Sequence, residues 1–253
     1  MFNLLHAHWK KTKRTFLRPM LVFLPVIYSL MIFTYFFVSK NRTVYAENEY
    51  AMFFLLLALS IQFVSGTLIV LFVNLDKQAG NFGNELTIGV PRSKLLLSKC
   101  LFLFLLLLGV EFIATTTFIL AQIMVRGSWI GFSQLGSYLF FIPLLMLPQL
   151  FIYLWVSYPF HMTGTLIVSS LSFLTAVLMG TTDLGTGIWI FIPPVWLTRV
   201  VFGLIPVTSE LTQSYQEISL LKMIPTALIV SCILFLGLYF WYNNWEGQGR
   251  LEE

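Results

Sequence analysis

Charge is what this chain has least of. Only 10% of its 253 residues are Asp, Glu, Lys or Arg, against roughly 25% in soluble domains. A water-facing surface cannot be covered with so few charges, which excludes a free soluble enzyme domain, a DNA-binding module and a disulfide scaffold. Cysteine is nearly absent too. Cys100 and Cys232 lie inside apolar runs, so no disulfide or metal framework is expected. Histidine occurs three times. His6 and His8 are two residues apart and face different sides of a helix, with no acids or cysteines beside them. Reactive motifs are missing as well: there is no H-E-x-x-H, no G-x-S-x-G, no paired acids within an apolar run, and no G-x-x-x-x-G-K-S/T phosphate loop. The chain is therefore not expected to be an enzyme, to bind a cofactor, or to hydrolyse ATP by itself.

What is present is apolar. Hydrophobic residues make up 58% of the chain and mean hydropathy is +0.84. Phe alone occurs 25 times, against 15 for Lys and Arg together. A membrane-crossing helix needs about 20 apolar residues. Six stretches qualify, at 19–38, 51–73, 95–122, 136–158, 163–180 and 223–242. Pro159 separates the fourth from the fifth, within a tight Ser157–Met162 connection. The expected class is an all-α integral membrane protein with six crossings in one domain, 1–253. The first apolar run follows 18 residues, is too long for a signal peptide and has no small-residue cleavage site after it.

Positive charge sets the expected orientation. Lys10, Lys11, Lys13, Arg14 and Arg18 precede the first span, and Lys77, Arg92, Lys94 and Lys99 lie between the second and third. With Arg250, ten of the 15 cations fall on one side of six alternating helices. The positive-inside rule makes that side, and both termini, cytoplasmic. Residues 1–18 read as an amphipathic interfacial helix. Phe2, Leu5, Trp9 and Phe16 fall near one face, and Trp9, Lys10, Lys11, Lys13 and Arg14 are its expected anchors to anionic lipid. The plainer alternative is an ordinary basic flank. Residues 181–222 read as short helices in or on the outer leaflet. A broken seventh span at 187–207 is the alternative, opposed by Pro193-Pro194 and by Arg199, whose insertion would cost about 2.5–3.5 kcal/mol.

Inside the spans, Glu111 is the only deeply placed carboxylate, about 18 Å of helix beyond Lys99. Thr115 and Gln122 lie near the same face. Glu111, Thr115 and Gln122 form a candidate polar site for a cationic peptide or an ion; the alternative is hydrogen bonding to a neighbouring helix. Thr165, Ser169, Ser172 and Ala176 make a small-residue face suited to helix packing. Pro143 and Pro148 should loosen the fourth span.

The segment Asp76–Lys99, DKQAGNFGNELTIGVPRSKLLLSK, is too long for a simple turn. Phe82 and Leu86 are four apart and could share one face of a short helix along the membrane, with Glu85 at its rim. Pro91 suits the first turn of the next helix. A solvated hairpin loop is the alternative.

This segment resembles the cytoplasmic coupling region of ABC-2-type exporter permeases. That pattern runs from an acid to a Gly, to a Pro-(Ser)-Arg ending, to a Lys. Asp76, Gly80, Arg92 and Lys99 match its spacing. Glu85 lies further from Gly80 than the family's Glu, and Pro91 directly precedes Arg92, so the shape of the turn departs from the pattern. The opening HWKKTKRTFLRPMLVFLPVIYSL, the segment DKQAGNF and the stretch IPPVWLTR (Ile192–Arg199) resemble the permeases of lantibiotic-immunity transporters. Length and span count match along the whole chain; the specific motifs cover about a quarter of it. The resemblance implies a permease subunit paired with a second permease, commonly a different chain, and with two cytoplasmic ATPase subunits that hold ATP and Mg. It implies expulsion of a cationic peptide antibiotic from the cell membrane. Asp76, Gly80, Phe82, Glu85, Leu86 and Arg92, at 76–92, would then couple to the ATPase.

Overall fold

A computed structural model describes residues 1–38, 46–80, 82–83, 87, 89–127, 129–185, 187–204 and 220–246. Every regular element among them is helical. Helix α1 spans Phe2–Lys11, α2 Leu17–Val38, α3 Ala46–Gln78, α4 Arg92–Arg126, α5 Phe132–Gly180, α6 Pro193–Leu204 and α7 Leu220–Asn244. Two 3-10 turns, Asp183–Gly185 and Trp189–Phe191, join α5 to α6. Five helices, α2, α3, α4, α5 and α7, are long and apolar enough to cross a membrane. The chain is a multi-pass, all-α membrane protein.

Helix α5 is 49 residues long, but it is not straight. His161 has φ 53° and ψ −147°, which breaks the helix two residues after Pro159. Tyr138 stacks on Phe54 of α3, Tyr158 contacts Lys99 beside Asp76 at the far end of α3, and Ser169 meets Gly66 back along α3. The chain therefore follows α3 to its end and turns back at the break, so that 132–160 and 162–180 run in opposite directions. The reason is local: Pro159 cannot donate to the carbonyl four residues back, and the helix is weakest there. Pro143 and Pro148 lie in helical backbone without such a break.

Helix α3 is central. Phe53 stacks on Phe118 of α4, and Phe54 on Tyr138 of α5, each with ring centroids 4.1 Å apart. Gly66 sits so close to Ser169 that an added Cβ would fall 2.3 Å from the Ser169 Cβ. Thr165, Ser169, Ser172 and Ala176 are all buried, so this small-residue face packs within the chain. Helix α2 attaches to α4 through the Ser29 hydroxyl, which lies 2.8 Å from both the Pro25 and Ala114 carbonyl oxygens.

Helix α6 begins at the proline pair expected to disrupt helix. Proline at a first helical turn removes donors that have no partner there in any case. Its 12 residues extend about 18 Å, short of the roughly 30 Å hydrocarbon core, so it does not cross alone. Nor does it lie on a surface. Val195, Trp196, Leu197, Val200 and Val201 are all buried. The Gln62 amide donates to the Pro194 carbonyl at 3.1 Å. Arg199 donates to the carbonyls of Met179 and Thr182 at 3.0 and 2.9 Å, so its cation closes the C-terminal end of α5. Of the outer segment 181–222, residues 186 and 205–219 lie outside the described residues, and with them the end of the alternative span 187–207.

The basic opening also differs from expectation. Leu5, His8 and Thr12 form the face of α1 that turns toward the protein, leaving Phe2, Trp9 and Phe16 exposed. Lys11, expected to meet lipid, turns inward to Asp76. Lys10, Lys13 and Arg14 are exposed. Arg18 closes the α1–α2 turn, donating to the Trp9 carbonyl and to Thr12 Oγ1, with its guanidinium 4.3 Å from the Trp9 ring centroid.

Candidate coupling and intramembrane sites

Asp76 lies in the last turn of α3, and 95% of its surface is covered. Two cations converge on it from different helices. Lys99 of α4 reaches Oδ2 at 2.8 Å, and Lys11 of α1 pairs with Oδ1. Lys99 is only 1% exposed. It also donates to the Tyr158 hydroxyl at 2.8 Å, and its ammonium lies 5.2 Å from the Tyr158 ring centroid. Two members of the coupling pattern, the acid and the Lys, thus form one buried pair. Such a pair requires further hydrogen bonds to offset its desolvation, and Tyr158 supplies one.

Phe82 corrects the sequence expectation. It was expected on an exposed helix face, ready for a partner's groove. It lies instead in a left-handed turn, φ 65°, and is 1% exposed. Its N–H approaches the Asp76 carbonyl at 3.4 Å. Its ring packs against Tyr158 and Trp245, at 5.4 and 5.2 Å between centroids. Gly80, at φ 129°, adopts backbone that a side chain would resist, and this turns the chain inward at that point. Glu85 and Leu86, the other expected coupling residues, lie outside the described residues. Arg92 donates to the carbonyls of Asn243 and Trp245 at 2.7 and 2.8 Å. It thereby closes the end of α7, where a cation also favours the helix dipole.

His8, set aside in the sequence as an isolated histidine, belongs to the same cluster. Its Nε2 is 3.0 Å from Ser98 Oγ, and its ring lies 5.5 Å from those of Phe72 and Phe102. Burial pushes its pKa down to about 4, with Lys11 and Lys99 adding to the effect and Asp76 opposing it. At neutral pH the imidazole is uncharged. The signal that could have found it is spacing: Leu5, His8 and Thr12 recur at the interval of one helical face.

At the other end of the same helices, Glu49 of α3 accepts from Gln122 at 2.7 Å and pairs with Arg126. Arg126 also donates to the Phe36 carbonyl at 2.7 Å. Gln122 is therefore occupied in joining α3 to α4. Sequence reasoning missed Glu49, although opposite charges at the facing ends of α3 and α4 were visible. Glu111 and Thr115 do share the buried face of α4 with Gln122. Among the described residues, neither Glu111 oxygen nor Thr115 Oγ1 has a hydrogen-bond partner. The three expected members of the intramembrane site thus divide into one tethered residue and two open ones.

No protein-family model, curated protein or solved structure matches this chain.

The cluster around Asp76 joins α1, α3, α4, the end of the first half of α5, and α7 through ion pairs, carbonyl-directed donors and stacked rings.

Proposed function

We propose that this chain is the permease subunit of an ATP-driven ABC exporter, resembling those of lantibiotic-immunity transporters, which expels a cationic antimicrobial peptide from the cell membrane. In this reading it crosses the membrane six times, 132–160 and 162–180 making two of the crossings. Both termini and the Asp76–Lys99 segment are cytoplasmic. It works with a second permease subunit and with ATPase subunits that carry ATP and Mg. The observation that supports this reading is the shared task of Asp76, Gly80, Arg92 and Lys99. Asp76 and Lys99 pair, Gly80 turns the loop inward, and Arg92 fastens it to α7. A loop anchored to several helix ends can transmit a push from a cytoplasmic motor to all of them together. Phe82 serves that mechanism as an internal anchor, which leaves the exposed part of the loop to meet the ATPase.

Two other readings remain distinct. A related ABC-2 permease could carry another antibiotic or a lipid-like compound. A membrane enzyme or anchor would need no motor. Purifying the tagged chain from its native membrane and identifying its bound subunits separates these classes. The expected result is a co-purifying ATPase, with Arg92→Ala retaining that ATPase but losing peptide protection. Absence of any ATPase from the native complex would overturn the exporter reading. Reporter fusions at Glu253 and within Asn41–Glu49 should show opposite sidedness; an external C-terminus would overturn the six-crossing arrangement.

A further inference from the structure

We propose that the chain binds one anionic phospholipid at a defined site. The lipid's acyl chain lies along α2, and its phosphate meets the basic turn between α1 and α2. This goes beyond the exporter reading and does not depend on it.

The apolar part of the site is a groove. Phe16, Met20, Phe23, Leu24, Ile27 and Met31 line an open hollow of about 490 Å³. They recur at three- and four-residue intervals, so they occupy one stripe of the helix. From Phe16 to Met31 the stripe extends about 22 Å. That exceeds one leaflet of the roughly 30 Å hydrocarbon core, so an acyl chain entering from the Phe16 end has a continuous apolar bed.

The polar part lies at that same end. Of the five cations in the opening segment, two are already occupied. Lys11 pairs with Asp76, and Arg18 closes the turn against Trp9 and Thr12. Lys10, Lys13 and Arg14 are exposed, and none has an ion-pair partner among the described residues. Arg14 is held at φ 70°, uncommon for a residue with a side chain. The turn is fixed by the Lys13 N–H donating to the Lys10 carbonyl and the Thr15 N–H to the Thr12 carbonyl. The first acid in the sequence is Glu47, so no carboxylate in the first 46 residues neutralises these cations.

Charge complementarity selects the occupant. An anionic phosphodiester pairs with the three free cations while its acyl chain covers the groove. A zwitterionic lipid brings its own cation into the same turn. A cationic peptide would be repelled, and a second copy of this chain would bring three further cations to the same place.

The experiment uses the full-length chain with whatever subunits co-purify. It is reconstituted in phosphatidylcholine nanodiscs containing phosphatidylglycerol, and retained lipid is counted by native mass spectrometry. The expected result is one retained phosphatidylglycerol per chain. Each basic contact near an anionic surface changes affinity by about fivefold, so Lys13→Gln with Arg14→Gln should weaken retention about 25-fold. Arg14→Lys should largely preserve it. Ile27→Trp fills the groove without altering charge and should also abolish retention. Thermal unfolding of each variant checks that the fold is intact; these positions are exposed, so little change is expected. Equal retention of phosphatidylcholine and phosphatidylglycerol would overturn the proposal. So would full retention by Ile27→Trp, which would reduce the effect to diffuse surface charge, or displacement of the lipid by a second copy of the chain.

Discussion

Replacing Asp76 by Asn tests the central cluster most directly. The side chain keeps its size and loses its charge, so any effect comes from the two cations it faces. They are not equivalent. Lys99 is 1% exposed, so its ammonium would lose the carboxylate it faces in a buried setting, with the Tyr158 hydroxyl still beside it. Removing one partner of a buried pair costs about 3–5 kcal/mol. Lys11 has a side chain 38% exposed, so solvent screens it and its share is about 0–1 kcal/mol. Asp76→Asn should therefore destabilise by about 3–5 kcal/mol, and Lys11→Gln by under about 1 kcal/mol. The double change Asp76→Asn with Lys99→Met removes the stranded charge and should recover much of the loss. Unfolding of the purified chain in detergent, followed by helix signal against denaturant, measures all three. If Lys11→Gln costs as much as Asp76→Asn, or if the double variant is no better than Asp76→Asn alone, the buried pair is not what holds these helix ends.

Other perturbations follow from the same geometry. Phe82→Ala should cost about 3–5 kcal/mol of stability, because the ring fills space between Tyr158 and Trp245; a change below about 1 kcal/mol would mean that the ring faces outward after all. His8 has its folded pKa lowered to about 4 from 6.5. The unfolded chain therefore takes up a proton first as pH falls. The contribution of the neutral imidazole is complete above about pH 6.5 and is lost progressively toward pH 4. His8→Phe should flatten that part of a stability–pH profile, and an unchanged profile would refute the burial argument. Glu111→Gln preserves the shape of a buried side chain and should disturb membrane level and peptide protection far less than Glu111→Lys, which places a cation within a span. Loss of protection with Gln alone, at matched membrane levels, would assign the carboxylate a direct role.

The helices were legible because a bilayer leaves few alternatives. Apolar runs near 20 residues must pair their backbone internally, and α2, α3, α4 and α7 fall close to where hydropathy places them. The reversal near Pro159 was legible for the same reason that proline weakens helix. What sequence could not supply was direction. Asp76 and Lys11 are 65 residues apart, and Glu49 and Arg126 are 77 apart; nothing local specifies either pairing. Phe82 looked like an exposed helix anchor because spacing says nothing about a left-handed turn. Residues 181–222 read as short helices, and α6 is one; what spacing could not show is that Val195, Trp196, Leu197, Val200 and Val201 are buried within the chain and not on its surface. Of the residues expected to couple to a partner, Asp76, Phe82 and Arg92 each face the chain's own helices.

The reversal at His161 also bears on how the chain enters a membrane. No Lys or Arg occurs between Arg126 and Arg199, so the two halves of α5 carry none of the charges by which a bilayer-inserting segment is oriented. In the six-crossing arrangement proposed above, the two halves enter as one hairpin, because hardly a residue lies between them. Its direction then comes from α4 before it and from the Arg199-bearing segment after it. A tag or protease site placed at 159–163 should then disrupt biogenesis itself, whereas charge changes beside α4 or at Arg199 should change which way the whole hairpin faces.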